Sequence, residues 1–487
     1  MLPLPKPKSG GDLPLFSMTT TLRKTKIIAT LGPASETPDR LREMILAGVN
    51  IFRLNMSHAQ HDWVRKIVPT IRGIATDLDM PVGILLDTQG PAVRTGDLPV
   101  KLNLKVGDIM EFTMRGVRSE ELYSVNVNYD GLIDDINEGD VVLVDNGVIH
   151  LKVLSKKDSR IRCEVLTPGE LGSRRHINLP GVKVNLPPLT EKDLADIAVG
   201  AEMGVDFVAL SFCREPSDIV ELRRVLAEHG SLARVIAKIE DQSAVKIIDD
   251  IIRETDAVMI ARGDLGIECP MEELPIIQRR ILKAALKIGR QVIVATHMLE
   301  SMIENPVPTR AEVTDVANAV FEQADAIMLS GETTVGKYPV ECVKVLDRIA
   351  RRIERSGSAH FADQTTLLDP RQKTAYSGVV LANSFPKSYL AVLTRQGNMA
   401  DYTSHIRPEL APIYAITPSE VTARHLTLNW GTLPIVMPFG STPEESVKKA
   451  EELLLQRGLL KEGDQLIVMS DIIEGDEKFD SIQLRKI

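Results

Sequence analysis

Eight short apolar runs, each followed by a segment with helical periodicity, extend through residues 24–356 of this 487-residue chain. The alternation is broken once, since three units precede residue 92 and five follow residue 183. Apolar runs of this length, bounded by turn residues, are typical of buried parallel strands. Eight strand–helix units in order predict a closed (β/α)8 TIM barrel in the α/β class. An open doubly wound sheet is the alternative, and the count of eight disfavours it.

The interruption at residues 92–183 has a different pattern. Its short apolar segments are separated by the turn sequences KVGD, NYDG, INEGD and DNG. Such turns are typical of hairpins. The pattern predicts a compact antiparallel domain, a small β-barrel, inserted after the third strand as a lid. The barrel itself then consists of residues 24–91 and 184–356.

The chain beyond residue 356 begins a second α/β pattern. A connection at 357–371 precedes the apolar runs SYLAVLT, APIYAIT, LPIVMP and DQLIVMS, with helical segments between them. Residues 357–487 are therefore predicted to form a separate α/β domain with a mostly parallel sheet. At the other end, residues 1–23 are rich in Pro, Gly and Lys and are expected to form an N-terminal extension.

Polar side chains gather at the ends of two neighbouring barrel strands. The run VIAKIE ends in Lys238 and Glu240, and the predicted strand AVMIARGDLG (257–266) contains Asp264. The segment Asp241–Glu254 between them is predicted to be one helix. Two carboxylates at one sheet edge suit Mg²⁺, which usually takes one or two protein carboxylates. With the lysine beside them, they suit a phosphorylated or enolate-forming substrate. A solvated ion pair at a sheet edge is the alternative.

The composition argues against nucleic-acid and membrane partners and indicates the redox compartment of the protein. The net charge is −9, from 58 basic and 67 acidic residues, which argues against non-specific nucleic-acid binding. No apolar run reaches membrane-spanning length, so no membrane partner is expected. The cysteines show no paired spacing, which fits a reducing cytoplasm. These four cysteines are Cys163, Cys213, Cys269 and Cys342.

Several long motifs, in order, resemble those of the pyruvate kinases. The resemblance extends from Lys24 to the C-terminus. It implies an enzyme that transfers the phosphoryl group of phosphoenolpyruvate to ADP, giving pyruvate and ATP in the last step of glycolysis. The matching stretches are TKIIATLGPAS, NIFRLNMSHA, LLDTQGPAVRTG, INLPGVKVNLPPLTEKD, IAKIED, VMIARGDLGIE, ATHMLESM, PTRAEVTDVANAV and IMLSGETT.

The resemblance assigns roles to the barrel residues. Glu240 and Asp264 resemble the ligands of Mg²⁺ or Mn²⁺, which in that family joins the enzyme to phosphoenolpyruvate. Two further residues, Lys238 and Arg53, resemble the cations that stabilise and grip the phosphoryl group. Substrate contacts and catalysis are implied for five residues in all: Arg53, Lys238, Gly263 as a carboxylate cradle, Asp264, and Thr296 on the proton route to the enolate.

A second group of residues resembles the nucleotide and monovalent-cation sites. Asn55, His58, Arg94 and Arg175 match nucleotide contacts, although His58 could instead cap a helix and Arg175 could lie in a solvated loop. The oxygen-bearing residues Asn55, Ser57, Asp87 and Thr88 match the ligands of K⁺.

Two departures from the family pattern bear on these sites. Ala92 stands where potassium-dependent members carry Glu and independent members carry Lys. His176, directly after Arg175, replaces a glycine that is usual at the nucleotide edge of the insert.

The last domain also resembles a regulatory module. The stretch TRQGNMA (394–400) resembles a loop that binds a phosphorylated effector, but Gln396, Asn398 and Met399 replace hydroxyl or basic residues. The later stretch SDIIEGDEKFD is acidic, through Glu474, Asp476 and Glu477 among others, so fructose 1,6-bisphosphate is expected to activate poorly. The family also implies a homotetramer.

Two other functions remain open on the sequence alone. One is a phosphoenolpyruvate-handling lyase or aldolase, against which the inserted lid argues. The other is an inactive regulatory relative, against which the intact set Arg53, Lys238, Glu240, Asp264 and Thr296 argues. ADP-dependent formation of pyruvate would separate all three.

Overall fold

The computed structural model describes residues 22–114, 116–119, 121–474 and 477–487. The first strand–helix units appear as the sequence predicts. Thr37 caps the first helix, because its side chain accepts the N–H of Arg40, and Gly48 ends the helix at φ +116°. These units comprise β1 (Lys26–Thr30), α1 (Pro38–Ala47), β2 (Ile51–Asn55), α2 (His61–Asp77) and β3 (Gly83–Asp87).

The insert follows β3 and is built from short strands. Hydrogen bonding groups them into a six-stranded and a two-stranded sheet, rather than into the closed small barrel expected from the sequence. The pairing is mostly antiparallel, but β5 and β6 run parallel, contrary to the prediction of an all-antiparallel domain. The elements are β4 (Leu102–Leu104), β5 (Ile109–Thr113), β6 (Tyr123–Asn126), α3 (Leu132–Asp135), β7 (Val141–Val144), β8 (Ile149–Lys157), β9 (Arg160–Val165), β10 (Gly169–Leu171) and β11 (Ile177–Asn178).

The alternation of strands and helices then resumes with five more units. Thr190 opens the first helix with a capping box, in which its side chain and that of Asp193 satisfy each other's backbone N–H groups. The elements are α4 (Glu191–Glu202), β12 (Phe207–Leu210), α5 (Pro216–Glu228), β13 (Arg234–Ile239), α6 (Gln242–Lys246), α7 (Ile248–Glu254), β14 (Ala257–Ala261), α8 (Arg262–Glu268), α9 (Leu274–Ile288), β15 (Gln291–Ala295), α10 (Arg310–Phe321), β16 (Ala326–Leu329), α11 (Gly331–Thr334) and α12 (Pro339–Glu354).

Two of the sequence predictions in this half are wrong in detail. The single helix expected over Asp241–Glu254 is two helices, α6 and α7, which meet at Ile247 with φ −113° and ψ 28°. The strand expected over 257–266 ends at Ala261, and Arg262 begins the short helix α8. Asp264 therefore lies in the first turn of a helix, where backbone N–H groups point away from the helix and can meet an anion.

The eight barrel strands close into a cylinder, which confirms the TIM barrel. Their order around it is β1, β2, β3, β12, β13, β14, β15, β16, and every neighbouring pair is parallel. Large apolar side chains such as Phe207, Ile236 and Met259 fill the interior. Because all eight strands point the same way, their carboxyl ends share one rim, where barrel enzymes carry their active sites.

The C-terminal part forms the predicted second α/β domain. Its sheet order is β19, β18, β17, β20, β21, and the first four strands are parallel. The sequence reading missed β21, which pairs antiparallel with β20 in a hairpin. The elements are α13 (Pro370–Asn383), β17 (Ser388–Leu393), α14 (Asn398–His405), β18 (Ile413–Thr417), α15 (Glu420–His425), β19 (Thr432–Val436), α16 (Pro443–Gln456), β20 (Gln465–Glu474) and β21 (Glu477–Lys486).

Some sequence predictions concern residues that the structure does not describe. Most of the expected extension, residues 1–21, lies outside the described residues, as do Asp476 and the side chains of Glu474 and Glu477. Within the part of the chain that is described, no helix is long and apolar enough to cross a bilayer.

Candidate active site

A cavity of about 320 Å³ lies at the carboxyl rim of the barrel, between the rim and the insert. Its lining is mostly polar and draws on both domains. Nine of the residues singled out from the sequence line it: Arg53, Asn55, Ser57, Thr88, Arg94, Arg175, Lys238, Glu240 and Asp264. Ala92 and His176, the two residues that depart from the family pattern, also line the cavity.

Asp87, at the end of β3, lies fully buried beneath this cavity and forms ion pairs with two basic side chains. Its Oδ2 atom is 2.6 Å from Nε of Arg53, and its Oδ1 atom is 3.1 Å from Nζ of Lys238. Arg53 also donates to the hydroxyl of Thr30 at 3.0 Å. Burial alone would raise the pKa of Asp87, but Arg53 and Lys238 outweigh it and hold the pKa below its usual value. The carboxylate therefore fixes both cations at the cavity floor.

Lys238 comes from β13 and is itself almost buried. Besides Asp87, its ammonium meets Glu240 Oε1 at 2.9 Å and donates to the hydroxyl of Ser211 at 2.7 Å. Burial opposes the charged form, but the two carboxylates prevail and raise the pKa of Lys238 above its ordinary value. The side chain is thus a fixed positive charge at neutral pH.

Glu240 and Asp264 are the acidic pair predicted to hold a divalent ion. Glu240 is 2 % exposed, and its Oε2 atom accepts the backbone N–H of Phe212 at 2.7 Å. Burial raises the pKa of Glu240 to about 7, with Asp264 adding to this and Lys238 opposing it. Two carboxylates that disfavour each other's charge are a donor set that a hard cation would stabilise. Within the described residues, no group of three or more His, Cys, Asp or Glu side chains forms a fuller metal site.

Gly263 and Thr296 lie beside the cavity rather than in its wall. The hydroxyl of Thr296 accepts the N–H of Gly263 at 2.8 Å and donates to the carbonyl of Ala295 at 2.6 Å. A Cβ on Gly263 would meet nothing of the protein closer than 3.7 Å, so the protein's own packing does not require this glycine. Thr296 and His297 have φ values of +71° and +54°, a strained conformation of the kind that clusters at functional sites.

The four predicted K⁺ ligands lie close together but are partly engaged. Asn55 Oδ1 accepts the N–H of Ser57 at 3.2 Å, and the Thr88 hydroxyl donates to the carbonyl of Ala209 at 3.0 Å. Both oxygens of Asp87 already face cations. The oxygen-rich set fits K⁺ chemically. Arg53 and Lys238 therefore screen the charge of Asp87 before any metal ion binds.

Two of the predicted nucleotide contacts, Arg94 and Arg175, lie at the cavity, and a third, His58, does not. Arg94 and Arg175 line the cavity, and Arg175 Nη1 pairs with Asp145 Oδ1 at 3.2 Å. Nε of Arg175 is buried and has no hydrogen-bond partner in the protein. His58 is exposed in the turn after β2 and does not reach the cavity wall.

Several cavity residues were missed by the sequence reading. Ser211 and Phe212 follow β12 and contact Lys238 and Glu240 directly, while Asp145 meets Arg175. The sequence could have indicated Ser211 and Phe212 only through their position directly after a strand, because residues that follow a barrel strand lie at the catalytic rim.

The residues of the predicted effector loop, 394–400, do not line the cavity described above. Met399 is buried in the core of the C-terminal domain, which explains its apolar character, while Gln396 and Asn398 are exposed. Gly397 lies at φ +93° and its N–H is bound by the Thr394 hydroxyl at 3.0 Å.

Comparison with known proteins agrees with this arrangement. Residues 22–343 match the family description of the pyruvate kinase barrel domain, and residues 372–483 match that of the pyruvate kinase alpha/beta domain. A pyruvate kinase of Sporosarcina psychrophila is 40% identical over 93% of this chain and 79% of its own. Plastidial pyruvate kinase 2 of Arabidopsis thaliana is 40% identical over 97% of this chain and 83% of its own.

A solved structure supports the same assignment. The crystal structure of a pyruvate kinase from Cryptosporidium parvum superposes with a TM-score of 0.90 at 32% identity, covering 95% of this chain and 96% of that one. The chain belongs to the pyruvate kinase family, and it is a phosphotransferase that moves the phosphoryl group of phosphoenolpyruvate to ADP, giving pyruvate and ATP.

Proposed function

We propose that Arg53 and Lys238 bind the transferring phosphoryl group and that Lys238 stabilises its transition state. The observation that carries this is the fixed position of the Lys238 ammonium, 2.9 Å from Glu240 and 3.1 Å from Asp87, in the cavity that Arg53 also lines. A pre-positioned cation needs no reorganisation when charge develops on the phosphoryl oxygens.

Glu240 and Asp264 would hold the divalent ion, Mg²⁺ or Mn²⁺. When bound there, such an ion would join substrate oxygens to the enzyme and withdraw charge from the phosphoryl group. The open space at Gly263 and the N–H groups at the start of α8 leave room for a substrate carboxylate beside this pair.

Thr296 is proposed to guide the proton that reaches the enolate. Its hydroxyl lies behind Gly263 and is already hydrogen-bonded on both sides, to Gly263 and to Ala295. A threonine hydroxyl is too weak an acid to supply the proton alone, so a water between Thr296 and the substrate would act as the donor.

Nucleotide binding is proposed on the insert side of the cavity, through Arg94, Arg175 and Asn55. The unpartnered Nε of Arg175 is a donor that a phosphate oxygen could satisfy. His58 remains a proposal on the resemblance alone, since it lies outside the cavity wall. The insert would act as a lid over the nucleotide.

The direct test is pyruvate formation from phosphoenolpyruvate, measured with and without ADP. We expect pyruvate to appear only with ADP and a divalent ion, with one ATP formed per pyruvate. ADP-independent turnover would favour the lyase alternative, and the absence of turnover would favour the inactive relative. A Glu240→Gln variant should raise the Mg²⁺ concentration needed for half-maximal rate, whereas Glu191→Gln, on the exposed start of α4, should not change it.

A dependence on K⁺ is the next expected result. At the cavity floor, Arg53 and Lys238 both meet Asp87, and Lys238 also meets Glu240. A monovalent cation beside Asp87 would take up part of the charge of this carboxylate, so that Arg53 and Lys238, without moving, would attract the substrate phosphate more strongly. We expect kcat/KM to fall by about tenfold or more without K⁺, because one unit charge about 4 Å away is worth several kcal/mol at an intermediate dielectric.

The measurement replaces K⁺ by tetramethylammonium at constant ionic strength. Ala92, which lines the cavity, offers no charge of its own. Ala92→Lys should therefore relieve the dependence at least in part, while Ala92→Ser should not. Full activity of the unmodified chain in tetramethylammonium would contradict the proposal.

Four proposals remain. A phosphorylated effector in the C-terminal domain and a homotetramer rest on the family resemblance, whereas a cytoplasmic location and the division into domains at residues 24, 92, 184 and 357 rest on patterns in the sequence. The four cysteines are all buried and unpaired, which supports a reducing compartment.

A further inference from the structure

The catalytic cavity shares a wall with a second cavity of about 540 Å³ between the insert and the barrel. His176 of the insert and Phe212 of the barrel line both cavities. Their ring centroids are 5.8 Å apart and their planes meet at 52°. This pair of rings therefore separates the two cavities and joins the insert to the barrel rim.

Phe212 also contacts the chain that leads from the barrel into the insert. Gly90, on the chain that enters the insert, has φ +73°, and a Cβ there would lie 2.9 Å from Cδ2 of Phe212 and 2.8 Å from Cβ of Ser211. The chain leading into the insert thus packs directly on Ser211 and on the ring of Phe212. A movement of the insert relative to the barrel would change these contacts.

The backbone of Phe212 is itself tied to the proposed metal site. It lies at φ +52°, a conformation that a residue with a side chain adopts only when its surroundings impose it. In this conformation its N–H points at Glu240 Oε2, 2.7 Å away. This N–H holds one oxygen of the Glu240 carboxylate, and the ammonium of Lys238 holds the other.

We propose that the contact between His176 and Phe212 couples closure of the insert to the position of Glu240. Phe212 is then a positioning residue: its ring receives the insert and its N–H orients the carboxylate. His176 supplies the insert's half of this ring contact. The proposal rests on the assignment of Glu240 as a ligand of the divalent ion.

The ring of His176, rather than its charge, provides the contact. Burial lowers the pKa of His176, and Arg94 adds to this effect while Asp264 opposes it. The imidazole is therefore neutral at neutral pH and meets Phe212 as an aromatic ring. Replacing it by phenylalanine should preserve the coupling, and replacing it by alanine should remove it.

The test measures Mn²⁺ binding to the full-length protein without substrates, by electron paramagnetic resonance of the free ion. We expect His176→Ala to weaken Mn²⁺ affinity by about tenfold, the lower end of what loss of an outer contact costs a metal site, and His176→Phe to stay within about twofold. His150→Ala is the matched control, because His150 also lies in the insert but lines neither cavity. It should bind Mn²⁺ as the unmodified chain does.

The Glu240→Gln variant shows whether a failure lies in the assignment of Glu240 as a metal ligand or in the coupling through His176. If that variant keeps full Mn²⁺ affinity, the assignment of Glu240 as a ligand is wrong. If it loses affinity while His176→Ala binds as tightly as the unmodified chain, the ligand assignment stands and the coupling is refuted.

A double-mutant cycle tests the coupling by a second route. Glycine adopts φ +52° without strain, so Phe212→Gly keeps the N–H toward Glu240 and removes the ring. We expect it to weaken Mn²⁺ binding as much as His176→Ala does, with no further loss when the two are combined. Losses that add fully would mean that the two rings act independently, which would overturn the proposal.

Discussion

Lys238→Met should lower kcat by about 10² or more, because removal of one pre-positioned group that stabilises transition-state charge usually costs that much. The change removes the charge and nearly keeps the length of the side chain. The ammonium is held by Asp87, Glu240 and Ser211 within 3.1 Å, so no mobile group can take its place. Binding of phosphoenolpyruvate with the divalent ion should largely survive, since Arg53 keeps its contact with Asp87.

The measurement is steady-state kinetics together with phosphoenolpyruvate binding by fluorescence titration. Lys387→Met is a matched control, because Lys387 also pairs with a buried carboxylate, Asp464 at 2.7 Å, but lies in the C-terminal domain, away from the cavity. It should keep kcat within about twofold, as expected for a residue without a transition-state contact. A fall of less than about tenfold for Lys238→Met, in a protein with an unchanged circular dichroism spectrum, would remove Lys238 from its electrostatic role.

The barrel could be predicted from the sequence because its signals are local. Each strand is a short apolar run, and several helices carry a start signal, such as the capping box at Thr190. The errors arose where tertiary contacts override a local pattern. The break at Ile247 and the end of β14 at Ala261 have no Gly or Pro at the residue itself, so nothing in the sequence marks them.

Only those residues of the site that lie in motifs resembling the family could be predicted from the sequence. Charged residues at strand ends were identified, but Ser211 carries no charge and lies 27 residues from Lys238, to which it bonds. The parallel pairing of β12 with β13 brings these two residues together. The strand order β2, β3, β12, β13 likewise places both oxygens of Asp87 against basic side chains.

Arg407→Met should lower the free energy of unfolding by about 3–5 kcal/mol, the usual cost of removing one partner from a buried ion pair. Arg407 of the C-terminal domain pairs with Asp325 of the barrel at 2.6 Å, with side chains 2% and 0% exposed. Without the guanidinium, the Asp325 carboxylate would keep the N–H of Val292 at 3.0 Å but no cation. Because the pair joins two domains, both should unfold at lower urea concentration.

Urea unfolding followed by circular dichroism and by tryptophan fluorescence measures this, with Trp63 reporting on the barrel and Trp430 on the C-terminal domain. Arg224→Met is the control: Arg224 pairs with Glu221 on an exposed helix face, and its loss should cost less than about 1 kcal/mol.

Combining Arg407→Met with Asp325→Asn should cost less than the sum of the single changes, since the second substitution removes the unpaired buried charge left by the first. Oδ1 of Asp325 and Nε of Arg407 already lack hydrogen-bond partners in the protein. The pair is therefore held by charge more than by a complete set of hydrogen bonds, and its two halves should depend strongly on each other. An Arg407→Met loss no larger than that of Arg224→Met would show that the carboxylate finds water or another donor once its partner is gone.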